Sequence, residues 1–269
     1  MIQIKEVNIS DVDAMIKPYF ENKEVSDPVF EKLSEEKIFL GKEGELFVLP
    51  NVAEKVTYTI FLGLGKEEAF QAEGFKKAVA NAIRKAMSLK VKTVGIPICV
   101  SENLCVGGNV KAITEASLLG AYSFNKYKTQ NSDEEALEIF ICGVPEAKIT
   151  RAKEVSKESE EIARGVILAR ELTNEPSNII YPETLAKKVV ELFKDTAVEV
   201  EVMEENAIEE LGMKAFLAVG ASSEHKPRLI VMRYNGAPED ASKLGLVGKG
   251  LTYDTGGYSI KPTASMKTM

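Results

Sequence analysis

Residues Gly245-Leu-Val-Gly-Lys-Gly-Leu-Thr-Tyr-Asp-Thr-Gly-Gly-Tyr-Ser-Ile-Lys-Pro262 set two lysines and an aspartate into a glycine-rich loop behind a short apolar run. Leu244 to Val247, followed by Gly248 and Gly250, reads as a buried strand ending in a tight turn. Strands of that kind belong to open α/β sheets, where ligands gather outside the carboxyl ends. Lys249, Asp254 and Lys261 are therefore candidate site residues, and three readings compete for them. A phosphate loop needs Gly-Lys followed by Ser or Thr at the mouth of a helix, whereas Lys249 is followed by Gly250. A solvated loop uses the glycines for turns and leaves the charges in water. A metal site gathers them round a cation. Against the solvated loop stand Gly256-Gly257, which let the backbone approach something closely, and two lysines among small apolar neighbours, where a charge needs a partner.

The segment Val247 to Pro262 resembles the signature of the leucyl (cytosol) aminopeptidases, a two-metal family. The resemblance implies that Lys249 is a metal ligand, that Asp254 bridges two metals, and that Lys261 helps polarise the scissile carbonyl. Met269 matches a methionine lining the pocket for the substrate's first side chain. The implied chemistry is coherent. A lysine ligates a metal only when neutral, and giving up its proton near neutral pH costs about 4 to 5 kcal/mol, which a divalent cation in contact supplies. A protonated Lys261 suits the oxyanion of a tetrahedral intermediate. Two metals would activate a bridging water and receive the peptide's free amine, which accounts for exopeptidase selectivity.

The family's pattern continues with a further aspartate ligand, an Asp and Glu pair and an arginine, none of which this chain carries. With only Lys249 and Asp254 of the ligand set, the chain alone is expected not to hold the two-metal centre and to be inactive. The resemblance implies either part of a longer enzyme truncated within its catalytic domain or a short relative that binds partners or regulates through its N-terminal domain. For the enzyme, the resemblance implies removal of leucine and similar N-terminal residues from peptides, in the cytoplasm, with zinc or manganese and typically as a hexamer.

Outward from this loop, the 269 residues, 45% hydrophobic, suffice for two moderate cores. A net charge of −7 argues against general nucleic-acid or anionic-membrane binding. No run of 18 apolar residues predicts a membrane span, and Met1-Ile-Gln-Ile-Lys-Glu6 lacks the regions of a signal peptide. Three cysteines without a Cys-x-x-Cys pair suggest neither a disulfide framework nor a zinc knuckle, and a reducing cytoplasm fits.

Ile2 and Ile4 alternate as a strand would, Ser10-Asp11 offers a helix cap before Met15-Ile16, and Pro18 ends or kinks that piece. Lys37 to Leu40 and Leu46 to Pro50 suggest a hairpin turning at Gly41 to Gly44. Val56 to Leu62 is a β-branched strand. Phe70, Phe75, Val79, Ile83 and Met87 mark a helix over Glu67 to Leu89, with its stripe in the core. Val91 to Val100 and Ala136 to Cys142 read as strands about a helix from Val110 to Tyr122. The fold class predicted is α/β with two domains, each a mixed or parallel sheet flanked by helices and joined by a connecting helix, the second incomplete. Residues 1–150 form a noncatalytic domain, 151–175 the connecting helix, and 176–269 the start of a metallopeptidase domain.

Arg170-Glu-Leu-Thr-Asn-Glu-Pro-Ser-Asn178 again resembles the family, at the start of its catalytic domain; Asn174 and Asn178 serve as capping and turn residues. Pro182 opens a helix through Phe193, although Tyr181 is a poor cap. Val198 to Met203, Ala215 to Val219 and Arg228 to Tyr234 read as strands, and Glu204 to Leu211 as a short helix. His225, the only histidine, is placed in an exposed loop. Without a histidine cluster or a Gly-x-Ser-x-Gly elbow, neither a histidine-rich zinc site nor serine hydrolysis is supported. Nucleotide binding by Gly248-Lys-Gly250 is a third function class, which predicts retained ATP.

Overall fold

A computed structural model describes the chain except for residues 22, 24, 53–55, 100, 130–136, 239–240 and 269. It divides into two compact units, Met1–Glu171 and Leu172–Met269. The architecture is mixed α/β around a predominantly parallel sheet.

In the first unit, β1 (Ile2–Ile4), β2 (Ala14–Tyr19), β3 (Leu46–Val52), β4 (Val56–Gly63), β5 (Thr93–Pro97) and β6 (Glu138–Cys142) form one sheet in the order β1-β6-β5-β2-β4-β3. Only the β3–β4 pair is antiparallel. Helices α1 (Pro28–Glu35), α2 (Ala72–Ser88), α3 (Val106–Ala121) and α4 (Ile149–Asn174) accompany it.

Alternation along the strands sorts the core into two layers. Ile60 and Leu62 of β4, with Ala14 and Ile16 of β2, pack with Phe75, Val79 and Ile83 of α2 and Val110 and Ile113 of α3. Phe61 and Tyr19, one residue out of phase, face the opposite way and pack with Phe30 of α1 and Phe39. Helix α1 thus covers one face of the sheet, and α2 and α3 the other. Helices α2 and α3 approach closely because Gly120 has no side chain: a Cβ there would lie 2.9 Å from the Ala80 carbonyl oxygen.

Several expectations are corrected. Met15–Ile16 do not follow a helix cap; a 3-10 turn, Ile9–Asp11, leads into β2. Burying Ala14 and Ile16 beneath α2 and α3 outweighs the local cap signal. Pro18 continues β2 rather than ending it. Lys37 to Leu40 form no strand: α1, capped by Asp27 and opened by Pro28, occupies the preceding residues, and the antiparallel partner of β3 is β4. The predicted helix at Glu67 is a 3-10 turn, Glu67–Ala69, before α2 begins at Ala72.

The second unit contains α5 (Pro182–Phe193), β7 (Val198–Met203), α6 (Glu205–Glu210), α7 (Lys214–Gly220) and β8 (Leu229–Tyr234), with Ile180, Ala186 and Ile208 buried. β7 and β8 pair antiparallel, Val198 opposite Tyr234. The entry to α5 is repaired by Thr184, whose hydroxyl accepts the Tyr181 N–H (3.0 Å) and donates to the Ile179 carbonyl (2.7 Å). Ala215 to Val219, expected as a strand, lie in α7; five apolar residues fit either element by pattern alone. Leu244 to Val247, expected as a buried strand, form no strand, and Val247 is fully exposed.

Candidate metal centre

The site loop is organised by a turn rather than by a strand. Gly256 and Gly257 both have positive φ, 86° and 59°, a region glycine enters without steric cost. A Cβ on Gly256 would strike the Ser259 carbonyl oxygen. The close approach inferred from these glycines is thus to the loop's own backbone.

The turn is fastened by its neighbours. Gly256 N–H donates to Asp254 Oδ1 (3.0 Å), Gly257 N–H to the Thr255 hydroxyl (3.2 Å), and Lys261 N–H to the Thr255 carbonyl (2.8 Å). Thr255 was not among the sequence candidates. Its signal was present in Asp-Thr-Gly-Gly, because short oxygen-bearing side chains before glycines commonly accept from the backbone two residues on.

Closing the loop brings two of the sequence-predicted residues into contact. Lys261 Nζ lies 3.0 Å from Asp254 Oδ2, and each side chain is a little over one-third exposed. The Lys261 ammonium, then the Gly256 amide, hold the Asp254 carboxyl below the usual carboxylate range, and the charge of Lys249 adds a smaller attraction. Lys249 therefore acts on Asp254 through its charge, on an exposed stretch of the same loop. Met269 lies outside the described residues. His225 is exposed and stacks on Tyr181 with ring centroids 3.9 Å apart.

A two-metal centre needs several donors converging on the ions. Among the described residues no three His, Cys, Asp or Glu side chains gather in that way. Asp254 gives one oxygen to an amide and the other to an ammonium. The described residues thus supply a carboxylate suited to a cation and a lysine beside it, but do not by themselves make the donor set. Among them, too, no helix is long and apolar enough to cross a membrane.

The family model described as "Cytosol aminopeptidase family, catalytic domain" matches residues 167–269, and that described as "Cytosol aminopeptidase family, N-terminal domain" matches residues 20–131. A "Probable cytosol aminopeptidase" of Clostridium perfringens is 39% identical over 276 residues, covering 99% of this chain and 56% of the relative. One of Aquifex aeolicus is 34% identical over 271 residues, covering 98% and 52%. Among solved structures, a mutant of tomato leucine aminopeptidase superposes with a TM-score of 0.78 at 26% identity, covering 96% of this chain and 55% of that one. The bottromycin maturation enzyme BotP in complex with Mn gives 0.77 at 25%, covering 96% and 52%. The chain spans about half the length of the curated relatives it matches.

Proposed function

The chain belongs to the cytosol aminopeptidase family, and from that premise we propose that the protein is a metal-dependent aminopeptidase that removes N-terminal residues, leucine and similar ones, from peptides. The observation that carries this reading is the Asp254–Lys261 pair, closed by a glycine turn within the segment that matches the catalytic domain. Lys249 and Asp254 are the ligands this segment contributes to two divalent ions, zinc or manganese. Lys261 donates to the carbonyl oxygen of the scissile bond as charge builds there. Met269 lines the pocket for the first side chain. Residues 1–150 are the noncatalytic domain, 151–175 the connecting helix and 176–269 the beginning of the catalytic domain. The whole protein works in the cytoplasm as a hexamer.

The 269-residue chain alone, lacking the rest of the donor set, is inactive in this reading. The test is metal-dependent release of leucine from leucine amide by protein of the relatives' length, beside Lys249→Ala and Asp254→Ala. Both variants are expected to lose activity and bound metal together. Full activity in both would sink the assignment, and release of leucine by the 269-residue chain would overturn its inactivity.

A further inference from the structure

The six-stranded sheet opens along one seam. β2 and β5 are neighbours, yet their register covers only Ala14 opposite Val94 and Met15 opposite Gly95. β2 stays paired with β4 as far as Tyr19, and β5 with β6 as far as Pro97. Beyond Met15 and Gly95 the two strands part, and each carries a proline there. The Tyr19 carbonyl accepts from Leu64 N–H (2.9 Å) and so faces β4. Alternation turns the Pro18 backbone towards β5, where proline has no N–H to offer. Across the gap, Ile98 N–H goes to the Cys142 carbonyl (2.9 Å) and Cys99 N–H to Asn109 Oδ1 (2.7 Å).

The same seam is where the chain's connections diverge. From β2 the chain passes through α1 on one face towards β3 and β4; from β5 it passes through α3 on the other face towards β6. Such a reversal leaves a crevice at the carboxyl ends, the general position of ligand sites in open α/β sheets. Here the crevice measures about 290 Å³ and is lined by Lys17, Pro18, Lys23, Pro97, Ile98 and Cys99 among others. That volume is at the small end of ligand sites, below the ~300 Å³ where drug-sized pockets begin.

Its charged groups are held in place. Lys17 Nζ is 2.7 Å from Asp27, and Lys23 Nζ is 2.8 Å from Glu67 and 5.2 Å above the Phe20 ring. Neither carboxylate is among the residues lining the crevice. An ammonium has three donors, so the contacts that each lysine makes among the described residues leave it capacity for a ligand, and less side-chain freedom is lost when one binds. Two ammonium groups beside an apolar wall suit a molecule with a doubly charged head of several acceptor oxygens on a compact apolar body.

We infer that this crevice binds a small organic phosphate monoester, its phosphoryl oxygens on Lys17 and Lys23 and its body against Pro18, Pro97 and Ile98. The inference stands apart from the aminopeptidase reading and uses none of its residues.

Amide-resolved NMR titration of the 269-residue chain with phenyl phosphate tests it, with inorganic phosphate and phenol as the two halves of the probe. Saturable shifts are expected at Lys17, Tyr19, Phe20, Lys23, Ile98 and Cys99, with phenyl phosphate binding more tightly than either half. Lys23→Gln, which leaves the Asp27 cluster intact, should weaken binding about tenfold without changing Tm. Lys17→Gln should weaken binding as well, with some loss of stability because Lys17 also holds Asp27. No saturation at millimolar probe, shifts centred elsewhere, inorganic phosphate binding as tightly as phenyl phosphate, or an unchanged affinity in Lys23→Gln would each overturn the proposal.

Discussion

Asp27→Ala tests how much of the first unit hangs on one carboxylate. Asp27 Oδ1 caps α1 by accepting from Val29 N–H (3.0 Å) and Phe30 N–H (3.3 Å), while Oδ2 takes the Tyr19 hydroxyl (2.5 Å) and Lys17 (2.7 Å). Losing such a cap costs about 1 kcal/mol. The Tyr19 side chain is buried between Phe30 and Phe61, with ring centroids 4.3 and 5.6 Å away; stranding its hydroxyl costs about 1 to 3 kcal/mol. Lys17 is partly exposed, so its pair adds about 0 to 1 kcal/mol. Roughly 3 kcal/mol is expected in all. The same contacts, read through the acidity of the carboxyl, give a similar figure. Burial raises the Asp27 carboxyl, but hydrogen bonds from Lys17 and then Tyr19 outweigh it and take the carboxyl from 3.8 down to about 2. A depression of that size stabilises the ionised fold by ~2.5 kcal/mol. Because the native value is the lower one, this stability is fully present above 3.8 and is lost as pH falls through about 2. Urea unfolding of the full chain by circular dichroism, at neutral pH and near pH 2, reads both effects. A variant as stable as the parent at neutral pH, or a deficit that does not shrink in acid, would refute the reasoning.

Two further outcomes follow from packing. Gly120→Ala places a methyl against the Ala80 backbone, 2.9 Å from its carbonyl oxygen; separating α2 from α3 should cost about 1 to 3 kcal/mol, read as a lower urea midpoint. Of the three free thiols only Cys105 is exposed. Burial pushes Cys99 up to about 12 and raises Cys142 as well, so a thiol reagent should modify Cys105 at once and the other two only on unfolding. Rapid labelling of all three in the native protein would contradict the burial of Cys99 and Cys142.

Elements that bury a whole face announced themselves. α2 carries Phe75, Val79, Ile83 and Ala86 at helical spacing, all fully buried, and β4 is a run of β-branched and aromatic residues with both faces covered. Where local and tertiary signals disagreed, the local one misled. Ser10-Asp11 looks like a helix start, and Asp11 does accept the Asn8 N–H (2.8 Å). The turn it makes is spent before Ala14, whose burial needs a strand. Helix α1 does carry its signals, the Asp27 cap, Pro28 in its first turn and Phe30 and Leu33 on one face, but eight residues make only about two turns, too short a run for the period to stand out from a loop.

The two site regions differ in legibility for a related reason. Asp254 and Lys261 are seven residues apart, and the glycines that bring them together lie between them, so one short stretch holds both the groups and the turn. The crevice between β2 and β5 is assembled from residues such as Lys17, Pro18 and Lys23 on one side and Pro97, Ile98 and Cys99 on the other, which meet only because the chain laid β3 and β4 to one side of β2 before β5 came to the other. No local pattern encodes that order. The prolines show the limit clearly: Pro18 sits one residue inside the end of β2 and Pro97 closes β5, and only the sheet order reveals that the two stand on either side of one gap, where neither has an N–H to bridge it. Leu244, Leu246 and Val247 show it from the other side, since an apolar run states that burial would be favourable without stating against what. They are exposed here, and what positions Asp254 is the Gly256–Gly257 turn and its pair with Lys261.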